Sequence, residues 1–398
     1  MFRHLLKLIW KRKGRNLMLS LEILLAFVIV FAIAAFGLRN AQLYQLPIGF
    51  DADDVWAVNI IGAGDWSKPL PPETFDNFQR GLMALPGARH VAFASSSPYS
   101  NSNFHTGFTV EGGRKVKTNI VVATDDFFAL LGIKLDQGRA FERSDEGAAA
   151  TPVVINRRLA MEMFGTTDVL GRQFDSNEHG DHGRTMKRVV GLIDDFRKKG
   201  ELDSPGNVTI ARLSATSTDS PRTILIKMAP GTPRAFEETL SRELKRINNA
   251  WSYQIAPLSA LRVSALDSTL TPILILSVIA AFLLLMVAFG LFGVLWQNTT
   301  RRIPEIGLRR AIGANAGDIY RQIIAEQFLL SSGAMLVALL LLVQLPITGV
   351  LGDGLNWTVF LSATALSMAV IYLLSLLCSV YPGWRASRLS PTQALHYE

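Results

Sequence analysis

The sequence predicts a membrane protein with four transmembrane α-helices in a one-plus-three layout and one large extracytoplasmic α/β (α+β) domain, built from β-α-β units and an inserted lobe. Three observations carry this. Of 398 residues, 49% are hydrophobic and only 18% charged, against roughly 25% charged in an ordinary soluble domain. The apolar excess is gathered in four long runs, the pattern of bilayer spans rather than of packed cores. The net charge of +7 is also unevenly placed: residues 42–270 hold 26 basic and 27 acidic side chains, and the rest of the chain holds 14 and 6. That surplus clusters at the N-terminus, at Arg301 to Arg321 and at Arg385 and Arg388, always beside an apolar run. Lys and Arg in such positions mark the cytoplasmic side of a membrane, so the basic balance reports orientation and gives no support to a nucleic-acid surface.

Residues 1–16 carry Arg3, Lys7, Lys11, Arg12, Lys13 and Arg15 with no acid, and read as a cytoplasmic basic N-terminus. The first span is 17–38; a 22-residue helix reaches about 33 Å, enough for a hydrocarbon core of about 30 Å. A cleaved signal peptide is the competing reading, and the apolar stretch is too long for one. The second span is 271–297, with Pro272 near its outer start, where a missing amide hydrogen is tolerated. Residues 298–322 form a cytoplasmic segment, 323–345 the third span and 357–381 the fourth, with Trp357, Tyr372, Tyr381 and Trp384 as interfacial aromatics. A short outer turn, Pro346 to Asn356, joins the last two. Four crossings return residues 382–398 to the cytoplasm. The lone Cys378 allows no internal disulfide and no metal cluster.

The segment 42–270 is long enough to fold by itself. Val55 to Ile60 alternates like a strand, Pro72 to Leu85 places Phe75, Phe78, Leu82 and Leu85 at helical spacing, and Val91 to Ala94 is extended again. A second unit follows the same order: Thr223 to Met228, Thr232 to Ile247, Tyr253 to Ala256. The two are expected to pack as halves of one domain. Between them an inserted lobe, about 118–205, contains strands at Asn119 to Thr124, Pro152 to Ile155 and Lys187 to Ile193 and short helices at Asp125 to Leu131 and Arg157 to Phe164. Its loop Asp175 to Gly183 is polar and glycine-bearing.

Several motifs in order resemble one family. Arg301-Arg302-Ile303-Pro304-Glu305-Ile306-Gly307-Leu308-Arg309-Arg310-Ala311-Ile312-Gly313-Ala314 is similar to the signature that follows the second span of bacterial ABC transporter permeases of the MacB and FtsX type. Tyr381-Pro382-Gly383-Trp384-Arg385, continuing to Leu395, resembles that family's closing motif. Leu85-Pro86-Gly87, Asp126 to Ile133 and Val189 to Phe196 resemble its periplasmic core domain. The resemblance implies a permease subunit in a bacterial inner membrane, both termini cytoplasmic and the large domain periplasmic or extracellular. It implies a dimer, homomeric or heteromeric, contact with membrane lipid and with a periplasmic adaptor, and a separate cytoplasmic ABC ATPase as the energy source. Movement of the outer domain would then drive export or efflux. The chain has no Gly-x-x-x-x-Gly-Lys-Ser/Thr phosphate loop and is expected to be no enzyme and to use no cofactor. In MacB the ATPase is fused ahead of the first span, and the sixteen residues before the span here imply that it is a separate chain. Related alternatives are a division-hydrolase regulator and a lipoprotein-extracting subunit; an alternative of another class is a membrane-anchored receptor or scaffold.

The segment expected to couple to the ATPase contains Arg301, Arg302, Glu305, Gly307, Arg309, Arg310, Gly313, Ala314 and Asp318. Pro304 cannot continue the second span's helix, so that helix stops or kinks near Arg302. A short helix, Glu305 to Ile312, should pair Glu305 with Arg309 and carry Ile303, Gly307 and Ala311 on one stripe. Asn315, with Asp318 three residues on, is placed to cap the next helix. The competing reading of this segment is a plain basic loop.

No catalytic constellation or metal site is expected. Glu178, His179, Asp181 and His182 read as polar surface, and Ser95-Ser96-Ser97 as strand-end packing. Glu22 and Glu326, near span ends, are expected to face water or basic neighbours; no row of polar residues is expected through the spans.

Overall fold

The computed structural model describes residues 13–61, 72–102, 105–109, 115–176, 185–213, 221–350 and 352–388. These fall into two compact units, one of residues 43–269 and one of the residues before and after it. The first helix, α1 (Lys13–Tyr44), is longer than the expected span.

In the 43–269 unit, β1 (Val55–Ile61), α2 (Pro72–Met83) and β2 (Ala88–Ala94) form the first predicted β-α-β. The lobe follows: β3 (His105–Thr109), β4 (Lys115–Ala123), α3 (Phe127–Leu130), β5 (Leu135–Gly138), β6 (Thr151–Asn156), α4 (Arg157–Phe164), β7 (Gln173–Ser176), β8 (Thr185–Ile193) and β9 (Val208–Arg212). The second unit is β10 (Thr223–Met228), α5 (Phe236–Ile247) and β11 (Ser252–Pro257).

The two β-α-β units do pack into one domain, sharing a single sheet. They interleave in the order β11-β1-β10-β2, with every adjacent pair antiparallel, the split β-α-β arrangement in which each unit's gap is filled by a strand of the other. Alternation explains why: β10 sends Ile224 and Ile226 to a core with Phe78, Leu82, Leu240 and Leu244 of α2 and α5. Leu225 faces the opposite side, with Phe127, Leu130 and Leu258. A strand covered on both faces is stable only between two neighbours. Gly81 lets the helices approach, since a Cβ there would lie 2.7 Å from Ile247 Cδ1.

The lobe is larger than expected, reaching from β3 to β9, because β3 pairs with β4 and β9 lies parallel to β4. Its core is Phe108, Val153, Ile155, Leu159, Met163, Val189 and Leu192. The buried Asn156 holds it together: its Oδ1 accepts from Leu159 N (3.2 Å) at the start of α4 and from Val208 N (3.0 Å), and its Nδ2 donates to Gly206 O (2.8 Å). Glu178, His179, Asp181 and His182 lie outside the described residues, and among the described residues no group of metal-ligating side chains occurs. Ser95 Oγ accepts from Val122 N at 3.1 Å.

The next helix, α6 (Leu258–Thr300), starts well before the expected boundary and contains Pro272 in its interior. Leu258 is fully buried, and Leu261 and Ala265 pack on the same core, so tertiary burial winds the chain into a helix before the apolar run begins. Then come α7 (Ile303–Ala311), α8 (Ala316–Leu342), α9 (Gln344–Thr348) and α10 (Trp357–Arg388). Pro346, expected in a turn, lies in α9, and α10 continues through Pro382. Four helices, within Leu17–Tyr44, Leu258–Gln297, Ala316–Thr348 and Trp357–Arg385, are long and apolar enough to cross a membrane.

Helices α1, α8 and α10 share a core that includes Ile23, Phe27, Phe31, Ala334, Ala338, Val359 and Phe360. A few polar side chains are buried among these helices. Gln327, Ser331, Ser367, Ser375 and Ser379 are all buried, Ser331 Oγ meets Ser375 Oγ at 2.9 Å, and Ser332 Oγ meets Tyr372 OH at 2.7 Å. Far apart in sequence, Ser331 and Ser375, and Ser332 and Tyr372, meet only when α8 and α10 pack, while Ser367 and Ser379 bond carbonyls of their own helix; small hydroxyl residues let apolar helices approach and bond. Tyr372 stacks on Phe328 at 5.1 Å. Glu22 lies against Gly290, where any side chain would collide with the carboxylate.

Candidate functional site

The site is built where α6 ends. The helix stops at Thr300, the turn Arg301–Arg302 follows, and α7 begins at Ile303 with Pro304 in its first turn, where the missing N–H costs nothing. On α7 the residues turned inward are Ile303, Ile306 and Gly307, so the buried stripe follows i, i+3, i+4; Ala311, expected on it, is exposed. Ile306 packs on Ile319 and Ile323 of α8.

Polar contacts fasten the same two helices. Arg302 Nη1 donates to Glu326 Oε2 at 2.6 Å, Gln322 Nε2 to Glu326 Oε1 at 3.1 Å, Arg309 Nη1 to Gln322 Oε1 at 2.8 Å and Arg309 Nη2 to Glu305 Oε1 at 2.6 Å. Five side chains thus form one chain of charge-assisted bonds, in which Glu326 takes the basic neighbour expected of it. Gln322 and Glu326 carry no sequence signature of their own; their spacing of four on α8 could have pointed to them. The helix is closed by Gly313 at φ +104°, a conformation that side chains disfavour, and Ala314 N donates back to Arg309 O at 3.0 Å. Asn315 stands at the N-cap of α8 but makes no side-chain cap bond; Asp318 N bonds its carbonyl instead, at 3.1 Å. Arg301 and Asp318 are exposed, and the Arg310 side chain lies outside what is described.

Two apolar residues that the sequence reading passed over are left outward. Leu308, on α7, is 57% exposed, and Ile312, in the turn just after its last residue, is 79% exposed. Close by, α10 packs on the start of α8: Gly383 lies under the Tyr320 ring, where a Cβ would come to 3.0 Å, and Arg385 sits over the Trp296 ring at 4.6 Å, a cation–π contact. The arrangement is a short, braced helix with an apolar tip beside a basic rim.

Known proteins match the chain over nearly its whole length. The MacB-like periplasmic core domain family matches residues 17–242 and the FtsX-like permease C-terminal family residues 277–391. The chain is 26% identical over 364 residues to the macrolide export ATP-binding/permease protein MacB 1/2 of Paracoccus denitrificans, covering 85% of this chain and 51% of that protein. It is 24% identical to the uncharacterized ABC transporter permease YknZ of Bacillus subtilis, covering 90% and 86%. To the pyoverdine export ATP-binding/permease protein PvdT of Pseudomonas aeruginosa it is 27% identical, covering 98% and 57%. The chain therefore spans about half the length of MacB. Among solved structures, the periplasmic region of MacB from Actinobacillus actinomycetemcomitans aligns at TM-score 0.39 and 16% identity, over 56% of this chain and 97% of that one. With its core domain and its permease region both matched in order, the chain belongs to the family of ABC transporter permeases of the MacB and FtsX type.

Proposed function

We propose that this permease carries no ATPase activity of its own and is driven by a separate cytoplasmic ABC ATPase, which docks on α7 and moves the outer domain for export or efflux. The observation that carries this reading is the braced helix itself. Five bonded side chains fix α7 to α8, and the exposed Leu308 and Ile312 give it an apolar tip. Apolar residues in water at the end of a rigid helix are what a partner groove buries, and the exposed Arg301 supplies a positive charge beside it that steers an acidic partner. The residues assigned to coupling are Arg301, Arg302, Glu305, Gly307, Arg309, Arg310, Gly313, Ala314 and Asp318, to which Leu308, Ile312, Gln322 and Glu326 are added.

In this reading the domains follow the expected order: cytoplasmic N-terminus, one span, an outer domain of about 43–269, then three spans around the coupling segment, in a bacterial inner membrane with both termini inside. Dimerisation is supported by α6, whose Leu274, Val278, Phe282, Leu285 and Phe289 are all at least half exposed, leaving a long apolar face for a second permease or lipid. A periplasmic adaptor remains part of the proposal. Purification of the tagged chain from native membranes with identification of bound proteins is the test: an ABC ATPase should copurify, and its consistent absence would favour a receptor or scaffold.

A further inference from the structure

The most deeply buried charged side chain among the described residues is Arg197, 1% exposed. Its guanidinium donates to five backbone carbonyls: Leu43 (2.9 Å), Leu46 (2.8 Å), Pro47 (3.4 Å), Asp203 (2.9 Å) and Glu201. Its own N–H bonds Ile48 O at 2.9 Å. Leu43 lies in the last turn of α1, where carbonyls have no helical partner. One side chain therefore ends that helix and fixes the next few residues. Glu201, 7% exposed, accepts at Oε1 from Arg262 Nε at 2.6 Å, and Arg262 stands in the second turn of α6.

So the loop 197–203 grips the exit of one long helix with its guanidinium and the start of another with its carboxylate. All of these residues belong to the 43–269 unit. The loop is itself stiff. Gly200 at φ +95° has the Tyr99 ring against it, where a side chain would collide, and Tyr99 N bonds Lys198 O at 2.8 Å. Phe196, beside the clamp in sequence, packs on Phe50 at 5.4 Å. A planar, always charged fork with five donors is the one side chain able to satisfy so many carbonyls from a single point.

We propose that Arg197 and Glu201 are positioning residues that clamp the end of α1 to the beginning of α6, so that the two long helices carry any displacement to the outer domain as one piece. The transmission this serves rests on the permease reading proposed above; the clamp itself does not.

The test uses the full chain with Cys378→Ser and spin labels at Tyr44→Cys and Val263→Cys, both exposed positions. The unsubstituted clamp should give one narrow interlabel distance. Glu201→Gln and Arg262→Gln spare the carbonyl bonds of Arg197 and should replace that peak by a broad distribution, with the thermal melt of the chain unchanged. Arg262→Lys, which keeps the charge, should restore the narrow peak. A narrow peak in every variant overturns the clamp. So does broadening that comes with collapse of the melt and is not rescued by Arg262→Lys, since that marks a merely structural role. Failure of the permease reading would show separately, as absence of an ATPase from the purified complex.

Discussion

Arg302 and Glu326, 24 residues apart, meet with Nη1 2.6 Å from Oε2, both side chains about one-fifth exposed. They fix where α7 sits on α8. Replacing Glu326 by Gln removes the charge partner while keeping the shape, and for a half-buried pair the loss should be about 2 kcal/mol, between the surface and buried cases. The expected outcome is normal membrane insertion with reduced stimulation of the partner ATPase, and recovery in the swapped pair Arg302→Glu with Glu326→Arg. Full stimulation in Glu326→Gln alone would show that the brace is dispensable.

Leu308 and Ile312 are expected to dominate ATPase docking. Leu308→Asp or Ile312→Asp should weaken binding at least about tenfold, the scale of one lost apolar hot spot. Arg309→Glu should act differently, by unseating α7, because its guanidinium is committed to Gln322 and Glu305. Binding of purified ATPase to the three variants, alongside protease cleavage near Gly313, separates the two effects; unchanged binding in both Asp variants would remove the apolar tip from the proposal.

The outer domain should fold when excised, provided the cut respects Leu258. A fragment of residues 43–269 is expected to melt cooperatively, and one ending at Pro257 to lose much of that stability. Leu258→Ala within the longer fragment should cost about 2–5 kcal/mol, as for other buried leucines. Denaturant melts of all three decide it: equal stability would mean the start of α6 adds nothing to the core.

Burial, and then the neighbouring Lys199, push the Lys198 amine down to about 8. Its folded value lies below the unfolded value near 10.4, so between these the unfolded chain holds the extra proton. Stability should therefore rise with pH across that window, by at most about 1.4 kcal/mol per unit, and the penalty should be fully present below pH 8. Lys198→Met should flatten the slope. A melt series from pH 7.5 to about 10 with equal slopes in both proteins would refute this.

Topology is testable in a Cys378→Ser background. Cysteines at Asn101, which is exposed, and at Thr216, outside the described residues, should react with an impermeant thiol reagent in intact spheroplasts, while one near the N-terminus should not. The reverse pattern would invert the membrane orientation.

Much of this was legible in the sequence because it depends on local order. Apolar length located the four long helices, two-residue alternation located β1 and β10, and Pro304 with Gly313 bracketed α7. Boundaries drifted where burial overrode local signals. Pro272 suggested a helix start, yet Leu258 in the outer core draws the helix fourteen residues further back, and Pro382 falls inside α10 because packing on α8 continues past it.

The sequence by itself determined the order of the four long apolar helices and the short helix between two breakers, since hydropathy and the backbone limits of Pro and Gly act over a few residues. Only the tertiary structure decided which partners meet. The interleaving of β11-β1-β10-β2, the Ser331–Ser375 contact, the brace from Arg302 to Arg309 and the carbonyls around Arg197 all join residues far apart in the chain. Such pairings follow from the need to satisfy every buried polar group at once, a condition that exists only after the chain has closed on itself.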